Sequence, residues 1–239
     1  MRYPARSGPR GVALPALLAV AALGPALALI RVDGQEPARV VGRVEIGIPI
    51  ATRRPTATYG TRSVGPARLA SESERRHVVV YLRSARPQGI AQGIGPTRVS
   101  IRQRNETFTP RVVAVTVGSE VDFPNDDPIY HNVFSLSRVR TFNLGRYPRG
   151  DTRRVRVDRP GIVKVFCDIH SHMSATVMVF NHPWFAVPDE AGRFTLGAVP
   201  PGDHEVTAWH ERLGDTTVRL RVEPGRTVTT DFVLPVPAP

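Results

Sequence analysis

The sequence predicts an all-β protein built as two successive units of short strands. Three observations carry that expectation. Short Val- and Ile-rich runs recur after residue 38, and Gly, Pro, Asn or Asp breaks them at intervals of about ten residues. No stretch keeps a 3.6-residue apolar period, so no long helix is expected. The charge also changes sign along the chain. The formal net charge is +11, yet residues 183–239 hold eight Asp or Glu against five Arg. The 239 residues leave room for two small units, and 41% hydrophobic residues supply a core and exclude wholesale disorder.

In chain order, Arg2, Arg6 and Arg10 precede the uncharged stretch Gly11–Ile30, which ends near the small-residue run Ala26-Leu27-Ala28. That pattern reads as a signal peptide over 1–28 with cleavage after Ala28. An uncleaved membrane anchor is the alternative, because an uncharged stretch of this length nearly spans a bilayer. Either reading exports the rest of the chain, and the periplasm is the expected compartment. Residues 29–98 form an N-terminal β segment, with strand-like runs Arg39–Ile46 and His77–Leu82 around a long polar loop, Pro49–Glu74. Whether these strands join the edge of the next unit or form a partial third one is left open by the pattern.

Residues 99–182 hold the runs Val112–Val117, Glu120–Phe123, Arg153–Val157, Ile162–Phe166 and Ala175–Phe180, and Thr97–Gln103 leads into them. Residues 183–239 restart the pattern with Gly192–Leu196, Glu205–Trp209, Thr217–Val222 and Thr227–Leu234, separated by Gly- and Pro-containing turns. Four such runs suit a small antiparallel β-sandwich.

The chemistry concentrates around one residue. Cys167 is the sole cysteine, which excludes an intramolecular disulfide and any Cys-pair zinc site. A free thiol in an oxidising compartment must be buried or held by a metal. It stands in Cys167-Asp-Ile-His170-Ser-His172-Met173, and His131 lies 36 residues upstream. Soft sulfur with imidazole suits copper. Two His and one Cys in a plane with a long axial Met is the arrangement of electron-transfer copper sites. Four protein ligands leave no open position for a substrate, so electron transfer rather than catalysis is expected. No Ser/His/Asp arrangement points to an enzyme.

The pI near 11.1 suggests nucleic acid at first sight. No Lys/Arg pattern interleaves with aromatics, which make up only 7% of the chain, so no nucleic-acid partner is expected.

Residues Phe108 to Phe180 resemble the cupredoxins, the blue-copper group of plastocyanin, amicyanin and pseudoazurin. The matching residues are Phe108-Thr-Pro110, Val115-Thr-Val-Gly118 through Phe123-Pro-Asn125, and His131-Asn132. Pro160-Gly161, Phe166-Cys167, His170 and Met173 complete the match. The short closing loop is most similar to that of amicyanin. The resemblance implies a Greek-key β-sandwich over 99–182 and one type 1 copper ion. It assigns His131, Cys167 and His170 as equatorial ligands, Met173 as the axial ligand and His170 as the partly exposed one. It also implies that Asn132 pins the two ligand loops together and supports the Cys167 sulfur from outside the ligand set. The pair Ser171-His172 departs from the usual apolar pattern and puts the expected apolar docking patch in doubt.

The last 57 residues resemble the carboxypeptidase regulatory-like, or transthyretin-like, sandwich, grouped with carbohydrate-binding-like folds. That likeness rests on Phe185–Leu196, Val199-Pro-Pro-Gly-Asp203 and Trp209-His-Glu211. It speaks for fold and not for activity.

The expected function is therefore that of an exported blue-copper carrier of single electrons between redox partners. Arg138, Arg140, Arg146, Arg149, Arg153, Arg154, Arg156 and Arg159 lie between the ligand segments and would steer an acidic partner such as a c-type cytochrome. Two rival functions use the same residues. One is a copper trafficking or storage protein. The other is a carbohydrate- or protein-interaction module, with Trp209 as a stacking residue and the copper site secondary. His77, His182 and His204 are assigned no chemistry.

Overall fold

In the computed structural model the described residues are 38–47, 72–83 and 95–234. The expected signal or anchor over 1–28 and nearly all of the polar loop lie outside them. Among the described residues no helix is long and apolar enough to cross a membrane. The one helical element among them is a 3-10 turn, Glu72–His77.

Eighteen strands follow one another through the described residues. The first twelve are β1 (Arg39–Ile46), β2 (Val78–Leu82), β3 (Arg98–Ser100), β4 (Arg102–Gln103), β5 (Phe108–Thr109), β6 (Val112–Thr116), β7 (Ser119–Pro124), β8 (His131–Ser137), β9 (Arg140–Tyr147), β10 (Thr152–Val157), β11 (Gly161–Phe166) and β12 (Ser174–Phe180). The last six are β13 (Phe185–Ala186), β14 (Arg193–Leu196), β15 (Gly202–His210), β16 (Gly214–Val222), β17 (Thr227–Thr229) and β18 (Phe232–Leu234).

Strands β3 to β12 make a β-sandwich. A five-stranded sheet in the order β6-β12-β11-β8-β9 faces a three-stranded sheet, β10-β7-β3. Both are mixed: β6 runs parallel to β12, β3 runs parallel to β7, and the other pairs are antiparallel. The period-two pattern explains the packing. Val113, Val115, Val163, Val165, Val177 and Val179 point inward from one sheet and meet Val121, Phe123, Val155 and Val157 from the other. Each fully buried valine contributes on the order of 1.5–2 kcal/mol.

The outer face of the five-stranded sheet is not left to solvent. Val112, Met178 and Phe180 pack against Val79 of β2, with Tyr81, Phe185 and Trp209 at the margin of the same cluster. Strand β12, Ser-Ala-Thr-Val-Met-Val-Phe, is therefore buried on both faces, which is why its sequence is a near-continuous apolar run rather than an alternation.

The strands of the 29–98 segment do not stand apart, nor do they extend the edge of the β3–β12 sandwich. Strand β1 pairs with β14 and, in parallel, with β17 and β18. Strand β2 lies antiparallel between β13 and β15. Two further sheets result, β14-β1-β17 with β18, and β13-β2-β15-β16. They enclose a core of Val40, Val44, Val78, Val80, Leu82, Phe194, Leu196, Val206, Phe232 and Leu234. This part of the chain is thus mixed rather than purely antiparallel, and it draws two strands from before residue 98.

The expected single run Thr227–Leu234 is split in two for a visible reason. Thr230 and Asp231 loop around Gly42: the Thr230 N–H donates to the Val41 carbonyl (2.9 Å), and Asp231 accepts the Arg43 N–H (2.7 Å). A Cβ on Gly42 would collide with the Thr230 carbonyl oxygen.

Candidate metal centre

Strand β11 ends at Phe166, which pairs with Phe134 of β8, so Cys167 and His131 emerge at the same end of neighbouring strands. The loop after Cys167 folds back at once. The Met173 N–H donates to the His170 carbonyl at 3.0 Å, and β12 begins at Ser174. The turn brings His170 over the other two residues. His131 Nδ1 and His170 Nδ1 lie 3.1 Å apart, and each is 3.9 Å from Cys167 Sγ. His131 and Cys167 are buried, and the His170 side chain keeps 18% of its surface. Met173 is buried in the apolar cluster that also contains Cys167 and Val133.

These separations fit a metal ion. Bonds of about 2.0 Å to nitrogen and about 2.3 Å to sulfur would let the three donors hold one ion together. One thiolate with two imidazoles is a donor set that suits copper.

The loop before β8 is shaped by Asn125. Its side-chain amide donates to the carbonyls of Ile129 (2.9 Å) and Tyr147 (3.1 Å), and its Oδ1 accepts the Asp127 N–H (2.9 Å). This aims Asp127 at the back of the first ligand: Asp127 Oδ2 lies 2.8 Å from His131 Nε2. Asp127 also accepts the backbone N–H groups of Asn105 (2.6 Å) and Glu106 (2.9 Å). Burial alone would raise the Asp127 pKa. The hydrogen bonds from Glu106, the His131 ring and Asn105 reverse that and hold it below the usual carboxylate range.

Asn132 differs from its expected role. Its amide donates to Asn143 Oδ1 on the neighbouring strand β9 (2.8 Å) rather than across to the Cys167 loop, and its Oδ1 is buried without a partner. In the β8–β9 pairing the register shifts between Asn132 and Phe134, with the extra residue in β9. His172 is exposed, with Nε2 3.6 Å from Glu106, and takes no place in the triad. Ile129, Tyr130 and Ile169 are exposed beside His131 and His170 in sequence, so apolar surface flanks the ligand loops despite the polar Ser171-His172 pair.

Asp127 and Glu106 carry no role in the sequence reading. The available signal was an acid four residues before the first ligand, which gains meaning only when the loop closes. Of the eight arginines between the ligand segments, four are paired: Arg146 with Asp168, Arg153 with Asp151, Arg154 with Asp122 and Glu120, and Arg156 with Asp158. Among the described residues Arg138, Arg140, Arg149 and Arg159 form no ion pair.

A second group, Glu74, His77 and His210, lies between the 3-10 turn and the β15–β16 turn. Glu74 Oε2 is 3.4 Å from His77 Nδ1 and 3.1 Å from His210 Nε2. His210 Nδ1 accepts the backbone N–H groups of Arg212 (3.1 Å) and Leu213 (3.3 Å), so the ring proton resides on Nε2. That nitrogen is then a donor to Glu74 and offers no lone pair to an ion. The Arg212 guanidinium, 2.6 Å from the same carboxylate, neutralises it further. The group is a hydrogen-bonded clasp.

No protein-family model matches the chain, and no curated protein matches it. Solved structures with local likeness include a purple cupredoxin from Nitrosopumilus maritimus, 22% identical, over 34% of this chain and 99% of that one, with a TM-score of 0.32. Amicyanin from Paracoccus versutus is 18% identical over 42% of this chain and 97% of its own, with a TM-score of 0.33. A copper-containing nitrite reductase from Thermus scotoductus is 22% identical over 38% of this chain, with a TM-score of 0.34; the match spans only 24% of the reductase.

Proposed function

We propose that the chain is an exported type 1 copper protein that carries single electrons between redox partners and has no turnover of its own. The observation that carries this reading is the convergence of His131 Nδ1, His170 Nδ1 and Cys167 Sγ within 3.9 Å of one another, close enough to share one ion. Copper bound there would supply a one-electron couple. His131, Cys167 and His170 would hold it as equatorial ligands, with Met173 as the axial one. Burial of three of these four side chains excludes water from the ligand set and keeps the donors in one arrangement. The His170 edge is the part of the triad open to solvent, and electrons would enter or leave there. Its apolar flank, Ile129, Tyr130 and Ile169, is the surface a partner would cover.

The partner we propose is an acidic redox protein such as a c-type cytochrome, and the compartment is the periplasm. Four of the eight arginines are paired with carboxylates, so steering would rest on Arg138, Arg140, Arg149, Arg159 and the overall positive charge more than on the whole series. We read strands β13–β18, completed by β1 and β2, as the regulatory-like sandwich. The glycan-binding alternative loses its stacking residue: Trp209 packs in the cluster between the sheets, and the Lys164 ammonium lies 5.5 Å from its ring centroid.

The visible and EPR spectra of Cu(II)-loaded protein, beside Cys167→Ser, test the proposal. An intense blue band with narrow copper hyperfine splitting, lost in the variant, is expected. A colourless protein with ordinary Cu(II) signals would refute the carrier reading, and rapid loss of copper to a modest chelator would favour trafficking instead.

A further inference from the structure

The loop at Asn105 and Glu106 is conformationally expensive. Both residues have φ near +53°, in the left-handed region that ordinary side chains avoid, and neither is a glycine. The two consecutive left-handed residues turn their N–H groups to the same side, and both donate to the Asp127 carboxylate (2.6 and 2.9 Å). Asp127 is buried, and its remaining strong contact is His131 Nε2 at 2.8 Å. A buried carboxylate that already accepts two backbone donors has a fixed orientation. It can receive a ring N–H but has none to give.

We infer that Asp127, gripped by the Asn105–Glu106 backbone, is a positioning residue that keeps the His131 proton on Nε2 and so leaves the Nδ1 lone pair facing Cys167 and His170. The inference rests on the copper reading for its purpose and not for its geometry. An imidazole in the wrong tautomer would present an N–H to the ion and would have to rearrange before binding. A carboxylate behind a ligating imidazole also makes the ring a better donor, which favours the more highly charged metal state. The same loop places the Glu106 carboxylate 4.0 Å from His170 Nε2, so one two-residue turn reaches both histidine ligands.

Nitrogen NMR of histidine-labelled, metal-free protein at pH 8 reads the tautomer directly. The wild type is expected to show His131 protonated at Nε2 and bare at Nδ1, and Asp127→Asn to lose that preference. On loading, the variant should bind copper 10- to 100-fold more weakly. Competition with chelators for each oxidation state should show the loss to be larger for Cu(II). A tenfold difference raises the potential by 59 mV for a one-electron couple.

An Asp127→Asn protein that folds normally, keeps the Nε2–H tautomer and binds both copper states within twofold of the wild type overturns the inference. If that variant does not fold, the wild-type spectrum alone decides: a proton on Nδ1 overturns it and one on Nε2 supports it. Because the NMR measurement needs no metal, a wild type that takes up no copper would defeat the carrier reading while leaving this one decided on its own evidence.

Discussion

Acidification should weaken the fold through one buried ring, His182. It stacks on Trp184 and tilts against Phe180, and its Nδ1 accepts the Trp184 N–H at 3.2 Å. With 8% of its surface exposed, burial pushes its pKa down from 6.5 to about 4, a hydrogen bond to the Leu82 backbone only partly opposing the shift. At pH 7 the ring is neutral whether the chain is folded or not. Between pH 6.5 and about 4 the unfolded chain takes up a proton that the folded one refuses, so stability falls as the pH falls. Below about 4 both forms are charged and the loss is complete. At 1.36 kcal/mol per pKa unit the ceiling is about 3 kcal/mol, of which about 2 kcal/mol is gone by pH 5.

Urea unfolding of the metal-free protein at pH 7 and pH 5, for the wild type and His182→Asn, measures this contribution. The Asn side chain can still accept the Trp184 N–H but cannot titrate. The depressed His77 and His210 titrate in both proteins and cancel in the difference. The wild type should lose about 2 kcal/mol more than the variant over that interval. Equal losses, within about 0.5 kcal/mol, would refute the argument that His182 is held neutral by burial.

Two further substitutions probe the packing. Gly42→Ala should remove more than about 3 kcal/mol or prevent folding, read from the thermal transition by circular dichroism, because the new methyl group meets a backbone carbonyl that cannot move without breaking the β1–β17 and β1–β18 pairings. Glu211 is pushed up by burial, but Lys164 (2.6 Å), Arg111 (3.7 Å) and the Thr176 hydroxyl (3.4 Å) overcome this and hold it below 4.5. Its contribution is present above pH 4.5 and is lost as the pH falls through the depressed value, so Glu211→Gln should flatten that acid limb and remove about 1 kcal/mol at pH 7 in chemical denaturation.

The triad was legible because its donor types are rare in this chain. One Cys, with two of the seven His within five residues of it, restricts the options severely. Strand β6 was legible from its alternating valines and β12 from its near-continuous apolar run, since each has an inward face that must be apolar. Strand β9 was not: Arg-Thr-Phe-Asn-Leu-Gly-Arg-Tyr is largely exposed, and its arginines hide the alternation of Phe142 and Leu144 with polar neighbours. The positions of β1 and β2 were illegible for another reason. Alternation reveals which side of a strand is buried, but it does not name the partner. Val40 meets Leu196 across more than 150 residues of chain.

Because β1 and β2 precede the β3–β12 sandwich while their partners follow it, that sandwich is an insertion within another folded body. During synthesis β1 and β2 have no strand to pair with until β13 and β14 have followed them. The inserted part, with its own core, can condense first, and the surrounding sheets close around its outer face afterwards. A chain cut after Asn181 would therefore keep all the ligands but leave Val78–Leu82 as an unpaired, valine-rich strand lying against β12, a template for aggregation. Closure of the inserted sandwich and completion of the fold are thus separable events, and the first can precede the second.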